Sequence, residues 1–317
     1  MDMCGKFVDI RCINTSSNIS VEFGTSLAAV LSIIKFEQPY AILAARVNNV
    51  YKDLSYKVYK PVTVEFFDVR HFEGYRVYQR TLSFVMQMAS LELFPDDKLR
   101  LRHSLGNGFY AEFDSMRELS PEQITLLKQR MHDIVNRRLP ITRQKRLTEE
   151  VIAEYEKYDF DDRVELLKTR PHMYSTVDYL GSMPGFFYGP LAPDSSYVDR
   201  FDIVRYYNGL YVALPERNNP ERVNADIRLD KMFDIFHEYQ QWIDIMGVPT
   251  VGDLNRRIIE GDASELIKIA EAFHEIKISS IAHSIMQANE ERGVRMALIS
   301  GPSSSGKTTF SKRLGVQ

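Results

Sequence analysis

Apolar residues change their spacing several times along the chain, and each change predicts a different kind of element. Residues 6–13 and 19–23 alternate apolar and polar positions with the two-residue period of half-buried strands. Thr25 or Ser26 then stands where a helix cap belongs, ahead of Leu27, Val30, Leu31 and Ile34 on one helical side. Residues 42–47 and 50–54 flank Asn48-Asn49, a pair that tolerates the positive φ of a hairpin turn. Val62, Val64 and Phe66 resume the strand period.

From about residue 70 the period lengthens. Tyr75, Tyr78, Leu82, Val85, Ala89 and Leu93 recur every three or four positions, which predicts one long helix stopped at Phe94-Pro95. A glycine-bearing strand pattern follows over 106–113. Pro121 opens a second helix that runs to Arg138 and ends before Pro140, and a third covers 148–158. Residues 181–214, rich in Gly, Pro and aromatics, read as short strands with tight turns. Past Arg222 the pattern is helical again. Met232, Phe233, Phe236, Tyr239, Trp242 and Ile243 form a stripe that reads as core packing, ended by Gly247 and Pro249. Asp253 and Asp262 are candidate caps for two more helices, the last carrying Leu266, Ile269, Ala270, Phe273 and Ile276.

The expected fold class is therefore α+β and multidomain. Residues 1–67 form a β-grasp domain, 68–216 an α+β domain, 217–292 a helical connector, and 293–317 the first strand and loop of an α/β domain. Composition agrees with an ordinary soluble globular chain: 44% hydrophobic and 26% charged residues leave no room for a disordered, collagen-like or disulfide-dense class. With 40 Lys+Arg against 43 Asp+Glu there is no global basic field, so nucleic-acid binding would need a local patch. Cys4 and Cys12 have no second pair to complete a tetrahedral metal site, and a reducing compartment follows. The first residues lack the apolar core of a secretory signal, and no apolar run approaches the roughly 20 residues of a membrane helix. Cytoplasmic residence and no membrane partner are expected.

The sharpest chemical motif is GPSSSGKTT at 301–309. Residues 295–300 read as a buried strand, and Gly301 through Thr308 match G-x-x-x-x-G-K-[ST]. Gly301 and Gly306 let the backbone curl so that successive N–H groups meet one oxyanion. Lys307 is the expected catalytic residue, reaching the β- and γ-phosphates of ATP, and the Thr308 hydroxyl would hold Mg²⁺. The expected cofactor-binding set is Gly301, Ser303, Ser304, Ser305, Gly306, Lys307, Thr308 and Thr309. The serine-rich interior, Ser303-Ser304-Ser305, resembles the uridine-kinase and phosphoribulokinase group. That resemblance implies a phosphotransferase moving the ATP γ-phosphoryl to a nucleoside 5′-hydroxyl. With Gln317 only ten positions past Lys307, it also implies the N-terminal portion of a longer kinase, inactive as this fragment.

Two further resemblances cover roughly residues 1–215. GTSLAAV and AARVNNVYKDLSYKV are similar to the TGS domain, a β-grasp module of threonyl-tRNA synthetases, some GTPases and alarmone synthetases, and imply contact with RNA or a regulatory partner. LELFP, GFYAEFD, LPITR and YGPLAP stand in the order of the editing domain of threonyl-tRNA synthetase. In that family H-x-x-x-H on a helix and C-x-x-x-H on a later loop build the site. Counting from LELFP and YGP places the equivalents at Arg80, Phe84, Phe187 and Leu191, none of which offers the required lone pair. Neither zinc nor deacylation by that mechanism is expected. The combination of these two domains with the phosphate-binding loop is the layout of a family of bacterial nucleoside kinases often called uridine kinases.

The remaining polar candidates read as structural. His71, His103, His132 and His172 are scattered singly, with His103 near enough to GFYAEFD to line the old pocket, and His274 and His283 are nine apart. The cations Lys128, Arg130, Arg137, Arg138, Arg143, Lys145 and Arg146 read as a solvated face paired with the acidic stretch 149–162 rather than an RNA patch. Two classes stand beside the kinase: a tRNA-editing deacylase, and an RNA- or nucleotide-sensing module whose emptied pocket takes a small effector. The acceptor nucleoside and the oligomeric state are not legible.

Overall fold

A computed structural model describes residues 6–36, 38–115 and 118–317. The chain divides into two compact units, Met1–Asp159 with His172–Asp234 and Phe160–Pro171 with Ile235–Gln317. Cys4 lies outside the described residues, and Cys12 is a buried free thiol.

The larger unit opens with strands β1 (Phe7–Cys12) and β2 (Ser17–Glu22), the short β3 (Thr25–Ser26) and helix α1 (Leu27–Ile34). Then come β4 (Ala44–Val47), β5 (Val50–Lys52), β6 (Lys57–Val58) and β7 (Val62–Phe67). Their five-stranded sheet has the order β2-β1-β7-β4-β5, with β1 and β7 parallel. This is the β-grasp arrangement. Val8, Ile10 and Cys12 alternate inward and meet Leu27, Val30 and Val64 in one cluster, so the two-residue period sets the register. Of the two candidate caps, Ser26 serves: its hydroxyl accepts the Ala29 N–H at 3.2 Å. Asn48 takes the positive φ of the β4–β5 turn.

The second core is built on α2 (Phe72–Leu93), β8 (Leu99–Leu105), β9 (Gly108–Phe113) and α3 (Pro121–Asn136). β10 (Ile141–Leu147), α4 (Thr148–Glu156), β11 (Tyr174–Leu180) and β12 (Met183–Gly185) follow. β13 (Asp202–Tyr206), β14 (Gly209–Ala213) and the hairpin β15 (Pro215–Glu216) and β16 (Asn219–Val223) complete it. A four-stranded sheet β13-β14-β9-β8 and a three-stranded sheet β10-β11-β12 frame the buried α2. The periodic residues of α2 are joined inside by Val77, Thr81, Phe84 and Met86, because this helix packs on more than one side. Ser120 and Gln123 close a reciprocal cap at the start of α3.

The smaller unit holds α5 (Asp161–Lys168), most of α6 (Asp230–Ile245), α7 (Val251–Ile259), α8 (Ala263–Arg292) and α9 (Lys307–Val316). Three expectations need correcting here. Thr250, not Asp253, caps α7, since its hydroxyl accepts the Asp253 N–H, and Asp262 makes no side-chain cap bond. In the α6 stripe Phe233 is buried and Trp242 stacks on Phe273 at 5.4 Å, but Met232, Phe236 and Tyr239 are exposed rather than core. Residues 295–300 form no strand. A strand is held by a neighbour's N–H and C=O groups, and no described segment pairs there, so Leu298 is left 87% exposed. Among the described residues no helix is long and apolar enough to cross a membrane.

Candidate functional site

Helix α2 passes beneath a turn-rich loop over 186–193, and the four positions singled out by motif counting meet there. Arg80 and Phe84 lie one turn apart on α2. The Phe187 ring packs on Phe84 with centroids 4.9 Å apart. The Arg80 Nε donates to the Pro190 carbonyl at 3.0 Å, and its other arm reaches Glu73 Oε1 at 3.1 Å. Leu191 is buried in the same apolar cluster as Phe84, and the Ala192 N–H donates to Thr81 Oγ1 at 3.0 Å. A guanidinium and three apolar side chains thus occupy the place that the editing-domain resemblance gives to histidines and cysteine. Burial pushes the Arg80 guanidinium below its usual range and Glu73 opposes that, so the charge stays and works as a cross-link between helix and loop.

A second arginine holds the same loop from β10. The Arg143 Nε donates to Asp178 Oδ1 at 2.7 Å and its terminal nitrogen donates to the Gly189 carbonyl at 2.6 Å. Burial raises Asp178 above the usual carboxylate range, and the Arg143 hydrogen bond pulls the other way. The crevice left by Asp53, Arg143, Asp178 and Leu191 measures about 20 Å³, enough for a water and too small for an aminoacyl group. Pinned at both sides, the loop presents Tyr188, 74% exposed, at its tip.

Three of the scattered histidines, His71, His103 and His132, pack on aromatic rings. The His71 Nδ1 accepts the Glu73 N–H at the start of α2 and its ring stacks on Phe67 at 3.8 Å. His132 stacks on Phe201 at 4.4 Å. His103 stacks on Tyr110, and Tyr110 belongs to a different apolar cluster from Phe84 and Leu191, so His103 does not line the old pocket. Several cations of the basic cluster pair with acids, some outside the stretch 149–162: Lys128 meets Asp202 at 2.7 Å, Arg130 meets Glu92 at 2.8 Å, and Arg146 reaches the α4 acids Glu150 and Glu154. Lys145 sits over the Tyr174 ring at 5.2 Å.

The GPSSSGKTT loop lies in the smaller unit. Ser304 and Gly306 have positive φ, and α9 begins at Lys307 after an N-cap glycine that has no side chain to bond its first N–H groups. The Lys307 Nζ donates to the Gly301 carbonyl at 2.9 Å and to that of Pro302, which folds the ammonium across the curl. Ser303, Ser305, Thr308 and Thr309 line the same segment, and the curl, helix start and ammonium fit an anionic phosphate group. Among the described residues the flanking strand expected at 295–300 is absent.

No protein-family model matches the chain. It is similar to curated threonine–tRNA ligases. The ligase of Symbiobacterium thermophilum is 30% identical over 182 residues, 57% of this chain and 28% of the relative. That of Carboxydothermus hydrogenoformans is 29% identical over 177 residues, 56% and 28% of the two chains. That of Desulforamulus reducens is 28% identical over 148 residues, 47% and 23%. The chain therefore spans about a quarter of the length of the curated relatives it matches. Homology supports the threonyl-tRNA synthetase resemblance and a mixed α+β fold. It overturns the phosphotransferase assignment: the relatives are ligases, and neither a uridine kinase nor its nucleoside acceptor has support among them.

Proposed function

We propose that the larger unit is a tRNA-contacting module on a synthetase-like frame in which the editing pocket has been closed. Similarity to threonine–tRNA ligases supports the RNA partner. The observation that carries the closed pocket is the meeting of Arg80, Phe84, Phe187 and Leu191, which fills the space with one tethered cation and packed hydrocarbon. A carboxyl-ester bond needs a base or a metal-bound water for hydrolysis, and an arginine supplies neither at neutral pH. The module would hold tRNA without cleaving its ester. The test pairs a binding measurement with a chemical one. The purified chain should bind uncharged threonine-specific tRNA in a gel-shift assay. It should leave seryl-charged tRNA hydrolysing at the rate seen without protein. Ester hydrolysis that rises with protein concentration, together with stoichiometric zinc, would establish the deacylase instead.

The loop at 301–309 supports a second, independent reading as a phosphate-anion site. Its positive-φ turn and uncapped helix start favour binding of ATP with Mg²⁺, with Lys307 and Thr308 as contacts, and imply nothing about a transfer reaction.

A further inference from the structure

The junction between β7 and α2 gathers cations and aromatic rings that the sequence reading passed over. Phe72, the first residue of α2, is 53% exposed although it is a large apolar side chain. The Arg76 guanidinium lies over its ring at 4.6 Å, and that of Arg217, from the tip of the β15–β16 hairpin, at 5.7 Å. The Arg217 Nε also donates to the Arg70 carbonyl at 3.4 Å, which ties the hairpin tip to the helix start. Behind this stack, Arg46 sits over Phe67 at 6.0 Å and Arg70 over Tyr40 at 5.3 Å.

Charge is not balanced here. Arg46 pairs with Glu65 and Arg70 pairs with Asp68. Glu73 serves both Arg80, at 3.1 Å, and Arg76, at 3.6 Å. Arg217 pairs with no carboxylate among the described residues, and the neighbouring Glu216 is engaged by Arg222 at 3.4 Å. The patch therefore holds more guanidinium than carboxylate, and the surplus sits at Arg76 and Arg217, the two that flank the exposed ring.

We infer that Phe72, Arg76 and Arg217 form a binding surface for single-stranded RNA. Flat guanidinium planes beside an aromatic ring extend a stack onto which unpaired bases can add, and the unneutralised charge meets the phosphates. Both halves of the chemistry are needed, which favours RNA over a bare polyanion. The inference rests on the tRNA-contacting reading above and places its contact at the start of α2, one turn before Arg80 of the closed pocket.

The test is fluorescence anisotropy on the full chain, with a labelled single-stranded oligoribonucleotide of about eight nucleotides, within the span of one such platform. Phe72→Ala and Arg217→Ala should each weaken binding about tenfold. Arg217→Ala should also flatten the dependence of log affinity on log salt by about 0.7, and Phe72→Ala should leave that slope alone. Arg217→Lys should keep the slope and lose part of the affinity. Lys231→Ala, at an exposed position elsewhere, should bind as the wild type does, and matched urea midpoints will show that all variants fold. If the wild type binds and both substitutions leave affinity unchanged, this surface is wrong while the tRNA reading stands. Loss confined to Arg217→Ala would mean electrostatics without stacking and would also overturn the proposal. If the wild type binds neither the oligonucleotide nor intact tRNA, the functional reading falls with it.

Discussion

At Arg80 a single side chain does the work of a cross-link. One arm is neutralised by Glu73 and another bonds the Pro190 carbonyl, so truncation leaves a buried acid with only its longer Arg76 pair and the carbonyl without this donor. Arg80→Ala should cost about 2–3 kcal/mol, measured as a lower urea midpoint with unchanged slope. Arg80→Lys should recover only part, because an ammonium cannot span both acceptors in one plane. His71 makes a pH-dependent contribution of known sign. Desolvation lowers its pKa from the ordinary 6.5, and its Nδ1 must be unprotonated to accept the Glu73 N–H. As pH falls through 6.5 the unfolded imidazole takes up a proton and the folded one resists. The stability is full above that value and is lost from there down to the depressed folded pKa. His71→Asn keeps a capping acceptor and removes the titration. Its urea midpoint should fall less than that of the wild type between pH 7 and 5, and a parallel fall would rule the contribution out. His103 and His132 are lowered by desolvation too, so the comparison has to be between these two proteins and not with a fixed reference.

Elements were legible where apolar positions keep a helix or strand period and illegible where a partner strand, present or absent, decides the outcome. β1, α1 and α2 announce themselves by period, and Ser26 and Pro121 by end chemistry. β10 does not: its ITRQKRL is mostly polar and is a strand because β11 supplies a ladder from Ile141 to Leu147. The stretch 295–300 is the converse, apolar enough to predict a strand yet without a partner to make one. Motif counting located the Arg80, Phe84, Phe187 and Leu191 cluster because helix spacing is fixed at i and i+4. It missed the Phe72 patch, whose Arg217 comes from a hairpin that no local pattern links to α2. Packing between α5 and α7 gives a direct test at this scale. A Cβ on Gly252 would lie 2.7 Å from the Leu166 backbone nitrogen, so Gly252→Ala must push these helices apart. Hydrogen exchange of the amides from Val164 to Lys168 should accelerate, and unchanged protection would show that the contact is slack.

For the molecule as a whole, the two units differ in how completely they bury what they carry. The larger one gathers most of its apolar side chains into continuous clusters, whereas Met296, Leu298 and Val316 of the smaller one remain 75%, 87% and 85% exposed. Among the described residues, backbone from Arg295 to Ser305 makes no helix or strand bond, and its Gly301 and Pro302 carbonyls are held only by the Lys307 ammonium. Proteases cut where such a segment can enter the cleft extended, so trypsin should cleave after Arg292 or Arg295 before it cuts within either buried core. This cleavage also reports on the phosphate-anion reading. A nucleotide held by the curl from Gly301 to Thr308 would draw the Lys307 ammonium off the loop's own carbonyls and order the residues just upstream. Mg²⁺ with ATP should then slow cleavage several-fold in the wild type and leave Lys307→Ala unprotected, with adenosine giving no protection to either. Equal protection of both proteins, or none at millimolar nucleotide, would mean that the motif's glycines shape a turn and nothing more.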